Sequence, residues 1–238
     1  IHQGKITPNL LSTMGIPYIV IDSEMNEDNI FKNIGKQIEL CKSEKKPVCI
    51  LIKKGAFKVY KKKSNTSKHF FKFSLEREKA VEIAVKESEK NSIIVCTTGM
   101  LSRELFEFRA NNNLGHDKDF LCIGGMGHAS QIATGIAINK PKRPIYCFDG
   151  DGSSLMHMGS MAISGTKDLP NLIHIVFNNG CHESVGGQPT VAQRILLSKV
   201  ASALGYKFSK TVEDQVDFQN SLKEAQAFKS TSFIEVLV

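Results

Sequence analysis

Five short apolar runs, at residues 93–96, 120–123, 144–148, 172–177 and 233–238, alternate with longer stretches of helical period. The runs are rich in Ile, Val and Phe and show little polar alternation, so both faces of each strand must be covered. Strands separated by helices cannot pair as tight hairpins; they join by crossovers into a parallel sheet. The expected fold is α/β, a parallel sheet with helices on both faces. Helices are expected over residues 75–90, 101–109, 129–139, 155–165, 191–204 and 213–229. The first would be entered through Ser74, with Glu78 as a loose capping box.

The strand ends carry the chemistry. The run at 144–148 ends in Asp149-Gly150-Asp151-Gly152-Ser153-Ser154, and the run at 172–177 ends in Asn178-Asn179. Gly150 and Gly152 permit a sharp turn and close approach to a ligand. Asp151 offers a hard carboxylate oxygen and Asn179 a neutral amide oxygen. Ser153 and Ser154 offer hydroxyls and backbone N–H groups where a helix starts, a natural anion site. One carboxylate, one amide oxygen, a backbone carbonyl and phosphate oxygens suit Mg²⁺. Thr97, Thr98, Gly124, Gly125, Asp151, Gly152, Asn179 and Glu183 all fall just past strand ends, the edge where open α/β sheets bind ligands.

With these residues in view, the chain resembles the thiamine-diphosphate-dependent 2-oxo acid decarboxylases. Their signature is Gly-Asp-Gly, some two dozen residues, then Asn-Asn. The resemblance extends through Thr97-Thr98-Gly99, Ser102 to Glu107, Gly124-Gly125-Met126-Gly127-His128-Ala129, Asp151 to Gly159 and the run Asn178 to Thr190. The stretch His182-Glu183-Ser184-Val185-Gly186-Gly187-Gln188 is similar to the branch acting on phosphonopyruvate and sulfopyruvate. The resemblance implies thiamine diphosphate and Mg²⁺ as cofactors. It assigns Asp151, Asn179 and the Cys181 backbone carbonyl to the metal. It assigns Gly150, Gly152, Ser153, Ser154, Thr98 and His128 to the diphosphate region, and Gly124 with Gly125 to the aminopyrimidine. Met126 aligns with the apolar residue that props the bent cofactor, although a methionine here also suits core packing. His182 and Glu183 would handle protons at the reacting end. The implied reaction is decarboxylation of phosphonopyruvate to phosphonoacetaldehyde and CO₂. Sulfopyruvate or another 2-oxo acid, and a non-catalytic module that needs a partner chain, stay open as alternatives. Arg103 and Arg194 are candidates for meeting the substrate's phosphonate.

The N-terminal part reads as one β-α-β unit: strands at 16–21 and 47–52 around a helix at 26–45. One such unit is too small for an independent domain. With Ile1 in place of a start methionine, the resemblance makes residues 1–54 the tail of a pyrimidine-binding domain, residues 55–74 a basic linker and residues 75–238 the diphosphate-binding domain. The family's activating glutamate stands in the absent part, so a homo-oligomer or a second chain is expected to complete the site. Eight lysines between Lys53 and Lys72 account for much of the net charge of +7. No nucleic-acid motif accompanies them, and they read as a solvated linker. Apolar content of 41% and mean hydropathy of −0.16 are ordinary for a globular chain, and no run suits a membrane helix. The six cysteines form no CxxC pair, which argues against zinc and against a disulfide framework. Free thiols and the lack of a targeting segment point to the cytoplasm.

Overall fold

The computed structural model describes residues 2–58 and 73–238. Contacts divide the chain into two units, Ile1–Ser67 and Lys68–Val238. The expected basic linker, with Lys61, Lys62, Lys63, Lys68 and Lys72, falls largely outside the described residues.

In the first unit, helix α1 (His2–Thr13) precedes strand β1 (Tyr18–Ile21), helix α2 (Glu27–Glu44) and strand β2 (Cys49–Ile52). The strands pair in parallel, Tyr18 opposite Cys49. Asn26 caps α2, its side chain accepting from the Asn29 N–H, and Glu27 and Asp28 complement the helix dipole. Helix α1 departs from expectation; its polar composition carries little periodic signal. Ile21 is the only buried apolar residue among the described residues of this unit.

The second unit holds a six-stranded, wholly parallel sheet. In chain order its elements are α3 (Arg77–Glu87), β3 (Ile93–Thr97), α4 (Met100–Asn111), β4 (Asp119–Cys122), α5 (Ala129–Asn139), β5 (Ile145–Gly150), α6 (Asp151–Met156), α7 (Met158–Thr166) and β6 (Leu172–Asn178). A small antiparallel pair follows, β7 (Cys181–His182) with β8 (Gln188–Pro189). Then come α8 (Leu197–Ala203), β9 (Phe208–Val212), α9 (Gln215–Ala227) and β10 (Ser232–Leu237). The strand order is β4-β3-β5-β6-β10-β9. From β3 the chain steps one way to β4 and then returns to the other side for β5. The loops leaving β3 and β5 therefore diverge, which opens a crevice at their carboxyl ends.

Both faces of the sheet are covered. Ile94, Cys96, Tyr146, Phe148, Ile175, Phe177, Ile234 and Val236 pack under α3, α4 and α9. Their neighbours in sequence, Val95, Ile145, Cys147, Leu172, Val176 and Phe233, face α5, α7 and α8. Residues alternate between two buried faces, so the strands read as nearly continuous apolar runs.

Several boundaries shift from expectation. Ser74 does not cap α3: its hydroxyl donates to the Glu213 carbonyl, and the helix starts at Arg77. The expected helix at 155–165 begins earlier, at Asp151, and breaks at His157. The expected helix at 191–204 is a 3-10 turn, Val191–Arg194, followed by the shorter α8. Strand β9 and the β7–β8 pair lie where no strand is expected, being short and polar.

Candidate active site

A cleft of about 80 Å³ lies at the carboxyl ends of β3, β5 and β6. Its lining draws on Thr97 to Leu101 at the end of β3, Met126 after β4, Gly150 to Ser153 at the end of β5, and Phe177, Asn179 and Cys181 to Ser184 at the end of β6. Arg77, at the start of α3, closes one side.

Asp151 opens α6 at the floor of this cleft, 2% exposed. Burial pushes its carboxyl above the usual carboxylate range, against the lowering effect of the Thr190 hydroxyl and of the backbone N–H groups of Gly152 and Asp151. Thr190 donates directly to Asp151 Oδ2. Among the described residues no lysine or arginine forms an ion pair with Asp151. A buried carboxylate of this kind is either protonated or stabilised by a cation from outside the chain.

Asn178 and Asn179 have opposite roles. Asn178 is buried; its amide donates to Glu235 at 2.8 Å and its oxygen accepts from the Gly180 N–H at 3.0 Å. Asn179 faces the cleft, its Oδ1 3.2 Å from the Cys181 N–H and its Nδ2 3.3 Å from Glu183. Gly180 turns the chain between Asn179 and Cys181 at φ +66°, where a side chain would be strained and would strike Gln193. The oxygens of Asp151 and Asn179, with the backbone of Cys181 beside them, are hard donors of the kind Mg²⁺ takes. The residues therefore fit such an ion.

Gly152 makes room for a neighbour. A Cβ there would lie 2.5 Å from His182 Cε1 and 2.6 Å from its Nδ1. The Ser153 hydroxyl ties three loops together, 2.8 Å from Thr97 Oγ1 and accepting from the Gly127 N–H at 3.0 Å. Ser154 turns inward and donates to Asp149 at 3.1 Å. Asp149 in turn accepts from the Gly150 N–H and lies 3.4 Å from His174 Nε2, fully inside the domain. Glu183 is paired with Arg77, Oε2 to Nη1 at 2.5 Å, while Glu104 takes Nε and Nη2 of the same guanidinium.

Of the residues expected from sequence, the cleft brings together Thr98, Met126, Gly150, Asp151, Gly152, Ser153, Asn179, Cys181, His182 and Glu183. It does not include Gly124, Gly125, His128 or Ser154 in its lining. His128 is exposed and stacks on His157, ring centroids 4.5 Å apart. Gly125 abuts the Cys122 thiol, and Gly124 adopts φ +80° in the open loop. Arg103 and Arg194 are exposed and do not line the cleft. Three residues escape a reading of the sequence: Arg77, Glu104 and Thr190. Thr190 closes the quoted run from Asn178, so its place there was the available signal. Glu104 falls within the run Ser102 to Glu107 that carries the resemblance, while Arg77 has no such signal and is held beside the cleft by Glu104 through the packing of α3 on α4.

Comparison with known proteins places this arrangement. The thiamine pyrophosphate enzyme C-terminal TPP-binding domain matches residues 95–236. A phosphonopyruvate decarboxylase from Streptomyces viridochromogenes is 35% identical over 159 residues, covering 67% of this chain and 38% of that protein. A sulfopyruvate decarboxylase subunit beta from Methanothermobacter thermautotrophicus is 33% identical over 150 residues, covering 62% of this chain and 76% of that subunit. The crystal structure of benzoylformate decarboxylase from Polynucleobacter necessarius shares the fold, with a TM-score of 0.57 at 20% identity over 69% of this chain and 33% of that one. The chain thus spans 38% of the length of the phosphonopyruvate decarboxylases it matches. With the family's cofactor-binding domain matched over most of the second unit, the chain belongs to the thiamine-diphosphate-dependent 2-oxo acid decarboxylase family.

Proposed function

We propose that this chain carries the diphosphate- and Mg²⁺-binding half of a decarboxylase acting on phosphonopyruvate. The observation that carries the reading is the convergence of Asp151, Asn179 and Cys181 on one cleft, beside Gly152 and Ser153. Asp151, Asn179 Oδ1 and the Cys181 carbonyl would hold Mg²⁺, and the backbone at Gly152 and Ser153 would meet the diphosphate. Bound thiamine diphosphate supplies an electron sink into which a 2-oxo acid can lose its carboxylate as CO₂. The chain's own work is to anchor the cofactor, hold the substrate and move a proton. His182 sits over Gly152 with its imidazole at the cleft, placed for that transfer.

The cleft is smaller than the roughly 300–1,000 Å³ of usual small-molecule sites. A second body, from another copy or another chain, completes the site in this reading and supplies the activating glutamate. Residues 1–54 would be the tail of a pyrimidine-binding domain, and the complete assembly a cytoplasmic homo-oligomer or hetero-oligomer. A second reading, sulfopyruvate as substrate, is favoured by one observation: the chain covers 76% of a sulfopyruvate decarboxylase beta subunit. A non-catalytic module is the least favoured, since Asp151 and Asn179 offer hard oxygens at the cleft.

Phosphorus NMR of phosphonopyruvate with the complete protein, thiamine diphosphate and Mg²⁺ tests the proposal. Phosphonoacetaldehyde should form, and Asp151→Ala should abolish it. No turnover, with release of CO₂ from sulfopyruvate instead, moves the assignment to the second reading.

A further inference from the structure

Arg77 is the only lysine or arginine lining the cleft among the described residues. Its side chain is 16% exposed, and Glu104, 14% exposed, grips Nε and Nη2 at 2.6–3.1 Å. Burial alone would lower its pKa; the hydrogen bonds to Glu104 and Glu183 outweigh that, so it stays a cation. Glu104 leaves Nη1 uncommitted, and that arm reaches Glu183. The two carboxyl partners are unlike. Glu104 is fixed on α4, whereas Glu183 is 49% exposed in a 3-10 turn and already has a second partner in Asn179 Nδ2. A guanidinium with one fork clamped and one arm held by a displaceable carboxylate is preorganised to accept another oxyanion.

The incoming substrate supplies such an oxyanion. A phosphonate or sulfonate next to a 2-oxo acid places two acidic groups in a cleft that already contains Asp151 and Glu183. Without a cation there, both would be repelled. We propose that Arg77 binds the substrate's second acidic group, and that this group displaces Glu183 from Nη1. Glu183 keeps its bond from Asn179 Nδ2 and faces the reacting end. Arg77 is thereby the residue that distinguishes a dianionic 2-oxo acid from pyruvate. This inference rests on the decarboxylase reading above and deepens it.

Calorimetric titration of phosphonoacetate and sulfoacetate, which lack a keto group, into the complete protein loaded with thiamine diphosphate and Mg²⁺ reads the anion subsite without turnover. Arg77→Met should weaken the better-bound anion about 30-fold, roughly 2 kcal/mol at 1.4 kcal/mol per tenfold, with cofactor affinity kept within about twofold. Arg77→Lys should weaken it about 5-fold, since it keeps the charge and loses the fork. It also preserves a cation for Glu104 and carries the test if the Met variant fails to fold. KM for the acidic substrate should rise in parallel while kcat changes little. The preferred anion identifies the phosphonate or the sulfonate. Unchanged anion affinity in both variants, or no anion binding by the wild type, overturns the proposal. So does an equal loss of cofactor affinity, which would assign Arg77 to the diphosphate. Absence of turnover of either 2-oxo acid would sink the decarboxylase reading and leave the anion titration to judge Arg77 by itself.

Discussion

The two faces of the six-stranded sheet are built from the same strands and hold different things. The face under α3, α4 and α9 is dry: Ile94, Phe148, Ile175, Phe177, Ile234 and Val236 meet Val81, Leu105, Phe218 and Leu222. The face under α5 to α8 carries a buried polar set toward its carboxyl edge. Asp149 meets Ser154 and His174, His174 Nδ1 lies 3.2 Å from the Tyr206 hydroxyl, and Glu235 accepts from Asn178, Ser198 and Thr211. These groups lie directly beneath the candidate site. Asp149 precedes Asp151 by two residues and Asn178 precedes Asn179 by one, so each inner residue fixes the backbone from which an outer residue reaches the cleft. A hydrogen-bonded polar network rigidifies and specifies its surroundings, whereas an apolar face only stabilises them; here His174 Nε2, 3.4 Å from Asp149, is the one atom of the set without a hydrogen bond among the described residues. The polar contacts that fix the backbone at Asp151 and Asn179 thus lie on one face and most of the apolar bulk on the other, while Arg77 and Phe177 reach the cleft from the apolar side.

The strongest test of this division is on the dry face. Phe218 is fully buried against Phe177, ring centroids 6.4 Å apart. Phe218→Ala should cost about 3–5 kcal/mol of stability through lost burial and a residual cavity. Affinity of the folded fraction for thiamine diphosphate and Mg²⁺ should change much less than stability, because Phe218 meets the cleft through the Phe177 ring and not through a polar partner of its loops. Chemical denaturation and calorimetry read the two quantities separately. A variant with reduced stability and equally reduced cofactor affinity would show that the faces are coupled.

On the polar face the expected ratio reverses. Glu235→Gln keeps the shape but turns one acceptor oxygen into a donor facing Ser198 and Thr211 or Asn178. The loss of stability should be about 1–3 kcal/mol, the cost of one unsatisfied buried group. Release of Asn178 loosens the turn at Gly180 that aims Asn179, so under the proposed metal site the Mg²⁺ concentration needed for cofactor binding should rise about tenfold. Cofactor binding unchanged at that loss of stability would break the link between the inner network and the site.

Much of this layout was legible in the chain. The alternation of apolar runs and helices defined the parallel sheet, and the glycine-flanked Asp151 with Asn179 marked its edge. What stayed hidden depends on three-dimensional packing. Asp149 and Asn178 read like Asp151 and Asn179 in sequence; only strand register shows which member of each pair turns inward. Arg77 sits in a polar helix start with no pattern to mark it, and it reaches the cleft because α3 packs beside α4. The break at His157 was equally silent. A Cβ at Gly127 would strike the His157 ring, a constraint made by two loops far apart in sequence. Short polar strands such as β7 and β8 lack the apolar period by which strands are found.

The smallest expected effect compares the faces through their thiols. Cys96 lies on the dry face and Cys147 on the polar one, both with no exposed surface. Burial pushes both thiols up from 9.0, and the neighbouring Asp149 adds to the rise for each. The native state therefore holds two protons that the unfolded state releases above about pH 9. Stability from these groups is whole below that pH and falls as pH rises toward the folded values. At pH 10 each buried thiol should cost about 1.4 kcal/mol, from one pH unit past the unfolded pKa. The buried hydroxyls of Tyr146 and Tyr206, also raised by burial, add to the alkaline loss at higher pH. Denaturation of the reduced protein at pH 8 and pH 10, for the wild type and for Cys96→Ala and Cys147→Ala, isolates each thiol. Equal reductions of the alkaline loss would mean that the polar face excludes water as fully as the dry one. A reduction for Cys96→Ala alone would mean that solvent reaches Cys147 along the Asp149 network, and the inner polar set would then be a wet layer beneath the site.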